Sequence, residues 1–229
     1  MDFTSIRLIT FDCYGTLIDW ESGMLQAMRP LFAGVTDEHL LKMYSEIEPE
    51  LQAGEYLPYR RVLAEVVKEI GKRLARPVSD IEAQAFAESL KQWKPFPDTV
   101  AALQALASRC KLAIVSNIDD DLFAATREHL KADFEFVVTA QQVHSYKPAL
   151  NHFHEAIKRA AQAGIAKEQM LHAAQSLHHD IVPANSLALK NVWVNRRFGK
   201  SGSGATRAAT ARPGMEVHSL AELAALSSL

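Results

Sequence analysis

Short apolar runs alternate with longer amphipathic segments over most of this 229-residue chain. Most runs end at a polar residue or a glycine, which is typical of a buried strand followed by a turn. The runs predict strands at 6–11, 111–115, 134–138, 170–173, 192–194 and 215–218. The segments between them predict helices at 99–108, 122–130, 149–163 and 182–189, and a last helix in the C-terminal SLAELAAL sequence. This order predicts an α/β fold, a Rossmann-like doubly wound parallel sheet with helices on both faces.

The region between Trp20 and Trp93 breaks the alternation, because its apolar residues occur only at helical spacing. We interpret it as a helical-bundle cap at 15–94, inserted between two parts of a catalytic core at 1–14 and 95–229. Its helices are expected to begin or end near the prolines and to bury three apolar stripes. The prolines are Pro30, Pro49, Pro58 and Pro77. The first stripe is Leu40, Leu41, Tyr44 and Ile47, and the second is Val62, Leu63, Val66, Val67 and Ile70. The third stripe is Ile81, Ala85, Phe86 and Leu90. The biased stretch at 199–213 predicts a flexible surface loop.

The composition of the chain argues against several classes of protein but does not indicate a particular function. The chain has 25 basic and 27 acidic residues, a net charge of −2, and therefore no basic surplus for nucleic acid. No apolar run is long enough to span a bilayer, and the N-terminal sequence lacks the pattern of a signal peptide. The two cysteines, Cys13 and Cys110, cannot build a disulfide framework and suit a reducing compartment. We expect a cytoplasmic protein with neither a nucleic-acid nor a membrane partner.

Polar side chains follow the predicted strands where each strand ends. In an open parallel sheet, ligands bind beyond these carboxyl ends, so the side chains are expected to converge. Asp12 is the acid that ends the first strand, which makes it the candidate nucleophile. Lys147 would favour the ionised carboxylate and attract an anion. The remaining candidates are Tyr14 and Thr16 after the first strand, Ser116 and Asn117 after the second, and Ser176 to Asp180 after the fourth.

Four short motifs carry a resemblance to the haloacid dehalogenase superfamily. FDCYGTL at 11–17 resembles its first motif, VSN at 115–117 its second, SYKP at 145–148 its third, and the surroundings of Asp180 its fourth. The resemblance implies a Rossmann-like core, a helical cap and an ester intermediate on Asp12. It also implies that Lys147 and Thr16 hold Asp12, and that Asp180 orients Lys147 or the hydrolytic water. By the same resemblance, the substrate contacts would come from Tyr14, Ser116, Asn117 and Ser176.

Most members of that superfamily are magnesium-dependent phosphatases, which carry two further acids. Tyr14 and Gln175 stand at those positions here, so no metal and no cofactor is predicted, and Mg²⁺ belongs only to the phosphatase alternative. The run 178–180, His-His-Asp, invites a metal site, but no further ligand has suitable spacing. The three aspartates at 119–121 fit the first turn of the helix near Leu122 better than a metal site.

The Asp-x-Tyr-Gly-Thr-Leu form resembles the 2-haloacid dehalogenase branch, in which the aspartate displaces a halide from the α-carbon of a small acid. The early cap helix lacks the arginine that receives the halide there, and Phe153 stands where that branch has a tyrosine. The sequences at 13–21, 116–119 and 176–180 resemble L-azetidine-2-carboxylate hydrolase more closely. We therefore predict a hydrolase of small 2-substituted carboxylic acids. The alternatives are azetidine-type ring opening, a magnesium-dependent phosphatase and a catalytically silent binding protein, and a homodimer is left open.

Overall fold

A computed structural model describes residues 2–200 and 204–227. Its centre is one six-stranded parallel sheet with the order β3-β2-β1-β4-β5-β6. The strands are β1 (Leu8–Phe11), β2 (Lys111–Ser116), β3 (Phe136–Thr139), β4 (Met170–Ala174), β5 (Lys190–Val194) and β6 (Glu216–Val217). The predicted α/β class and parallel sheet are confirmed.

The helices follow the predicted alternation. Residues Trp20–Met28, Asp37–Gln52, Tyr59–Arg73 and Asp80–Ser89 form α1 to α4, the four helices of the region that was predicted as a cap. The remaining helices are α5 (Thr99–Ala107), α6 (Asp120–Leu130), α7 (Ala140–Val143), α8 (Asn151–Gln162), α9 (Val182–Ser186) and α10 (Leu220–Leu226). None of these helices is both long and apolar enough to cross a membrane, within the part of the chain that is described.

Strand β1 lies in the middle of the sheet and is buried along its whole length. Leu8 packs on one face with side chains of α8 and α9, whereas Ile9 and Phe11 belong to a second cluster that includes side chains of α5 and α10. The sheet is therefore covered on both faces, as its apolar strands require. Phe11 is in register with Ile114 of β2 and Ala173 of β4. The residues that follow these three strands consequently emerge side by side at one edge.

The helical region departs from the sequence prediction in the phase of one stripe. Ile81 is 82% exposed, and Ala85 is exposed as well. The buried face of α4 consists instead of Ala83, Phe86 and Ala87, and the buried Leu90 follows directly after the helix. The prediction was wrong for Ile81 because the apolar residues of a short helix fit two different buried faces equally well. Packing against α3 and α1 buries the face that carries Ala83 and Phe86 and leaves Ile81 exposed.

Two loop and helix-end predictions are also corrected. Pro49 was expected at the beginning or end of a helix, but it lies within α2, one turn before its end. There, the missing N–H of proline removes only one bond of the final turn. Part of the predicted surface loop 199–213 is not at the surface, because Ala205 and Thr206 are 1% and 8% exposed. The backbone N–H of Ala205 donates to Glu21 at the start of α1, which holds this segment against the helical region.

Asp119 connects the sheet to the helical region. Its carboxylate accepts the backbone N–H groups of Tyr59 and Arg60, the first two residues of α3, at 2.8 and 2.9 Å. Pro58, the residue before α3, has no capping side chain, so Asp119 supplies the cap from a distant part of the chain. The three aspartates do lie at the N-terminus of α6, as predicted, with Asp119 at the N-cap position, but the Asp119 side chain caps α3 and makes no side-chain cap to α6. A second tie is the Tyr146 hydroxyl, which donates to the carbonyl of Leu57 at 2.6 Å.

We predict that Asp119→Ala lowers the free energy of unfolding by about 2 kcal/mol, because it leaves two N–H groups at a helix start without their charged acceptor. Urea unfolding followed by circular dichroism measures the change. Asp133→Asn is the matched control, since the Asp133 side chain is fully exposed and should alter stability by less than about 0.5 kcal/mol. Equal effects of the two substitutions would contradict the capping role.

Candidate active site

A buried lysine is the centre of the polar cluster at the carboxyl ends of β1, β2 and β4. Lys147 is 1% exposed, and its ammonium makes three hydrogen bonds. They reach Asp12 Oδ1 at 2.9 Å, the carbonyl of Val115 at 2.9 Å and Asp180 Oδ1 at 2.6 Å. An ammonium has three protons, so all of them are used within the protein. Lys147 is thus a fixed positive charge between two carboxylates.

Asp12 follows β1 directly and is held through both of its oxygens. While Oδ1 accepts from Lys147, Oδ2 accepts a 2.9 Å hydrogen bond from the Thr16 hydroxyl. The same hydroxyl oxygen accepts the backbone N–H of Gln175 at 2.9 Å. This N–H, at the end of β4, fixes the direction in which Thr16 donates. The structure therefore brings Asp12, Thr16 and Lys147 into direct contact, as the sequence suggested.

Asp180 completes the cluster and introduces a histidine that the sequence analysis missed. Asp180 Oδ1 accepts from Lys147 and lies 3.0 Å from His172 Nε2, while His172 Nδ1 lies 2.9 Å from the Thr10 hydroxyl. His172 is fully buried in the centre of β4. A polar residue inside an otherwise apolar strand is the signal that could have identified it. The second oxygen, Asp180 Oδ2, is buried and has no hydrogen-bond partner among the described residues.

The cluster has two carboxylates for one ammonium, and the pKa values of the two carboxyl groups shift in opposite directions. Burial is the largest cause that raises the pKa of Asp12, and the neighbouring Asp180 carboxylate adds to it, while Lys147 opposes the shift. The pKa of Asp180 lies well below its usual range despite burial, because Lys147 and His172 stabilise its charge. The two carboxylates together raise the pKa of Lys147 against its burial. The geometry therefore keeps Asp180 as the permanent counter-ion of Lys147, with Asp12 as the more basic carboxylate.

The Asn117 side chain binds the backbone of Lys147. Its side-chain oxygen accepts the backbone N–H of Lys147 at 2.8 Å, and its side-chain nitrogen donates to the Lys147 carbonyl at 3.2 Å. The amide thus fixes the backbone that carries the central lysine. The Ser176 hydroxyl accepts the backbone N–H of His179 at 3.0 Å and caps the π-helical turn that carries Asp180. Both residues also line the cavity described next, together with Ser116.

A small cavity lies over Asp12, closed by residues from the helical region. Its volume is about 40 Å³, far below the several hundred Å³ of a pocket for a drug-sized ligand. The lining residues are Asp12, Tyr14, Trp20, Glu48, Tyr59, Ser116, Asn117, Lys147, Gln175, Ser176, His179, Asp180 and Thr206. The Tyr14 ring belongs to this wall, but its hydroxyl is paired at 2.8 Å with Thr126, whose own hydroxyl donates to the carbonyl of Leu122. The Tyr14 hydroxyl proton is therefore used within the protein.

A buried acid from α2 contributes to the same cavity and was not predicted. Glu48 is 5% exposed, and its Oε1 accepts hydrogen bonds from the hydroxyls of Tyr59 and Tyr44 at 2.8 and 3.2 Å. Burial raises the pKa of Glu48 to about 7, although the two hydroxyls oppose the shift. Glu48 lies four residues after Tyr44 and directly after Ile47, both within a predicted apolar stripe. A carboxyl on the buried face of a helix is the sequence signal that would have found it.

The donor set at the strand ends does not fit a magnesium ion. Mg²⁺ needs several oxygen ligands in octahedral geometry, of which one or two are carboxylates. Here the Lys147 ammonium occupies the position between the carboxylates of Asp12 and Asp180, and Gln175 replaces an acid with an amide. The Gln175 side-chain oxygen is paired with the Thr206 hydroxyl at 3.1 Å. Within residues 2–200 and 204–227, no group of three or more His, Cys, Asp or Glu side chains is placed to hold a metal.

The fold and the site together define a class of protein. It is an α/β protein with a parallel sheet, in which a buried Asp-Lys-Asp cluster lies at the carboxyl ends of the strands and helices cover the cavity. A family model of haloacid dehalogenase-like hydrolases matches residues 6–181. The chain therefore belongs to the haloacid dehalogenase-like hydrolases, as its motifs indicated.

Individual relatives agree with this family. The haloacetate dehalogenase H-2 of Moraxella sp. (strain B) is 25% identical over 201 residues, which cover 83% of this chain and 86% of the relative. Among solved structures, the L-2-haloacid dehalogenase of Xanthobacter autotrophicus superposes with a TM-score of 0.82 at 19% identity, covering 97% of this chain and 98% of that one. The same dehalogenase with chloropropionic acid covalently bound also gives 0.82, at 20% identity and the same coverage. These structures establish the shared fold, whereas the resemblance to L-azetidine-2-carboxylate hydrolase stays a prediction.

We predict that Lys147→Met lowers stability by about 3–5 kcal/mol at neutral pH, because it leaves two buried carboxylates without their counter-ion. Their folded-state pKa values then rise above the unfolded values, so the loss should shrink as the pH falls and the carboxyls take up protons. Urea unfolding at pH 5 and pH 7.5 measures both effects. The control is Lys158→Met on α8, whose side chain is 62% exposed. A loss that does not depend on pH would contradict this account.

We also predict a pH-dependent stability difference between the wild type and Glu48→Gln. The folded pKa of Glu48 is about 7 and its ordinary value is 4.5, so unfolding becomes easier as the pH rises through this interval. The wild type should lose about 2 to 3 kcal/mol relative to Glu48→Gln between pH 5 and pH 8. Glu46→Gln, an exposed acid on the same helix, should show no such trend. A flat difference for Glu48→Gln would mean that Glu48 is ionised at both pH values.

Proposed function

We propose that this protein hydrolyses a small 2-substituted carboxylic acid through an ester formed on Asp12. The observation that carries the proposal is the way Asp12 is held: one oxygen on Lys147, the other on Thr16, with the carboxylate lining a cavity of about 40 Å³. Fixing the nucleophile in this way lowers the cost of aligning it with a substrate carbon. The haloacetate and L-2-haloacid dehalogenases that this chain resembles support the class of substrate.

In the first step, a carboxylate oxygen of Asp12 attacks carbon 2 of the substrate. A C–O bond forms, the bond to the 2-substituent breaks, and the electron pair leaves with the substituent. Lys147 keeps Asp12 ionised and limits its movement, and Thr16 fixes the rotation of the carboxylate. The covalently bound chloropropionic acid in the X. autotrophicus dehalogenase is consistent with an intermediate of this kind.

In the second step, water attacks the carboxyl carbon of the Asp12 ester. The ester C–O bond breaks, the 2-hydroxy acid leaves, and the carboxylate of Asp12 is regenerated with one oxygen from water. We assign the positioning of this water to Asp180 Oδ2, which is buried without a partner among the described residues, while Oδ1 is occupied by Lys147. The ionised Asp180 accepts a hydrogen bond from this water and orients it, and the proton that the hydrolysis releases passes to solvent.

The remaining lining residues receive roles according to their free groups. Ser116, 1% exposed at the end of β2, is assigned to the substrate carboxylate, with Asn117 beside it. The ring of Tyr14 packs against the substrate, and Ser176 shapes the wall that carries Asp180. We keep the predicted division into a core at 1–14 and 95–229 and a cap at 15–94. In this division, the helices that close the cavity belong to the cap.

Isotope labelling tests the ester. With enzyme in excess over 2-chloropropionate in H₂¹⁸O, the first turnover should place ¹⁸O in the peptide that contains Asp12 and leave the hydroxy acid unlabelled, because the product oxygen comes from the aspartate. Mass spectrometry of the digested enzyme and of the product measures both. Label that enters the product first would indicate direct attack by water and contradict the proposal.

Two variants complete that experiment. Asp12→Asn should lose at least about 10³-fold in turnover, because an amide is a poor nucleophile, while substrate binding survives. Asp133→Asn, remote and exposed, should label and turn over like the wild type. If the wild type binds the acid but neither it nor any variant turns it over, the alternative of a catalytically silent binding protein holds.

A further inference from the structure

The cavity over Asp12 is smaller than the substrate that we propose for it. Its volume of about 40 Å³ has room for a few water molecules, whereas even a three-carbon acid with a substituent is larger. A substrate can therefore reach Asp12 only if part of the cavity wall moves. The position of that part determines where the substrate enters.

The segment 204–208 forms one part of the wall and belongs to neither a helix nor a strand. Thr206 lines the cavity, and its hydroxyl donates to the side-chain oxygen of Gln175 at 3.1 Å. The backbone N–H of Ala205 donates to Glu21 at 2.8 Å, and Gly204 packs so close to the same carboxylate that a Cβ there would collide with it. The segment can move away from the cavity without breaking a helix or the sheet.

A much larger space lies on the outer side of this segment. Gly204 and Arg207, the neighbours of Thr206, line a groove of about 870 Å³. Helix α2 also lines both spaces, because Glu48 belongs to the cavity wall and Lys42 to the groove. The groove is therefore the space from which a ligand meets the cavity when the segment moves.

The groove carries positive charge that is not neutralised within the described part of the chain. Arg207 and Lys42 are exposed, and neither makes an ion pair with a described residue. The other charged side chains of the groove are paired, apart from Glu38. The pairs are Arg197 with Glu21 at 2.6 Å, and Glu46 and Glu50 with Arg73 at 3.3 and 3.8 Å. An anion in the groove consequently meets more positive than negative charge.

The cavity itself offers an approaching anion no such attraction. Lys147 uses its three protons within the protein and lies between the carboxylates of Asp12 and Asp180. Arg207 lies close enough to the cavity wall to act on it: burial is the main cause that lowers the pKa of His178, and the charge of Arg207 adds to it. The positive charge that can draw in an acid is thus outside the cavity, beside the segment that closes it.

We propose that the groove between α2 and the segment 204–208 is the entry site for the substrate, where Arg207 and Lys42 bind its carboxylate before Thr206 moves aside and admits it to Asp12. The inference rests on the proposed function, which makes the ligand an acid, and it adds a recruitment site outside the catalytic cluster. Neither cation touches the reacting atoms. Both are expected to change the rate of entry and to leave the chemical step alone.

Stopped-flow fluorescence of the Asp12→Asn protein measures entry, because turnover is stopped and Trp20 lines the cavity. The probe is 2-chloropropionate. At about 0.01 M ionic strength, Arg207→Gln should lower the association rate constant about threefold, and Lys42→Gln/Arg207→Gln about tenfold. At about 1 M, where the screening length falls to about 3 Å, both losses should disappear. Arg207→Lys, which keeps the charge, should bind as fast as the parent protein.

Arg7→Gln is the matched control, since it removes the same charge just before β1, at the opposite end of the sheet from the strand-end site. It should leave the association rate constant unchanged. An equal loss in Arg7→Gln and Arg207→Gln would mean that only the net charge matters and would overturn the entry site. A loss in Arg207→Gln that persists at high salt would also contradict recruitment by charge.

Glu21→Ala tests the route, because it removes the acceptor of the Ala205 N–H and loosens the segment 204–208. At about 1 M ionic strength, where charge effects are screened, the association and dissociation rate constants of 2-chloropropionate should both rise at least about threefold, with little change in Kd. Unchanged rate constants would show that the ligand enters elsewhere.

Turnover by the otherwise unmodified enzyme separates this inference from the proposed function. If the wild type hydrolyses 2-chloropropionate and Arg207→Gln has no effect on entry at low salt, the entry site is overturned and the Asp12 ester stands. If the wild type turns over no such acid and Asp12→Asn does not bind it, the proposed function is overturned together with the inference.

Discussion

One buried ammonium holds this site together. Lys147 has to satisfy three hydrogen bonds inside the protein, and its acceptors come from separate parts of the chain: Asp12 after β1, the Val115 carbonyl of β2, and Asp180 after β4. Such an arrangement is stable only if the three strand ends are aligned, because a buried charge that loses a partner costs several kcal/mol. Asn117 fixes the Lys147 backbone, and His172 contacts Asp180, so both residues support the position of the ammonium. The sheet order and the electrostatics of the site therefore depend on each other.

The helical region closes the cavity and also contributes an ionisable side chain to its wall. The sheet supplies the Asp12 carboxylate and the Lys147 ammonium, while α2 supplies a further acid, Glu48, with two tyrosine hydroxyls to hold it. Asp119 holds the start of α3 to the sheet and thereby sets the position of Tyr59, the residue that fixes Glu48. Contacts therefore link the end of β2 to the cavity wall: Asp119 caps α3, and Tyr59 at the start of α3 binds Glu48. The packing of the helical region consequently decides which side chains line the cavity together with Asp12.

The parts that were predictable from the sequence are local or follow from pattern. Strands and helices were found because apolar residues repeat with the period of each element, and the position of Asp12 followed from the end of a buried run. His172 and Glu48 were missed because each sits inside an apolar pattern, and apolar spacing does not reveal their contacts with Asp180 and with Tyr59 in the next element of the chain. Ile81 was placed in the core because the period of a short helix is compatible with two faces, and only the neighbouring helices choose between them. Thr206 was assigned to a surface loop because the stretch around it is rich in small residues and has no apolar periodicity.

The sequence by itself determined the alternation of elements, the parallel sheet and the set of polar groups at the strand ends, because these depend on spacing along the chain. Tertiary structure alone decided the partners: which carboxylate neutralises Lys147 permanently, what Asn117 binds, and which acid shares the cavity with Asp12. The reason is physical. Hydrophobic periodicity is a property of neighbouring residues, whereas a buried hydrogen bond or ion pair requires two groups within about 3 Å and little water between them. Segments far apart in the chain meet at that distance only in the folded protein.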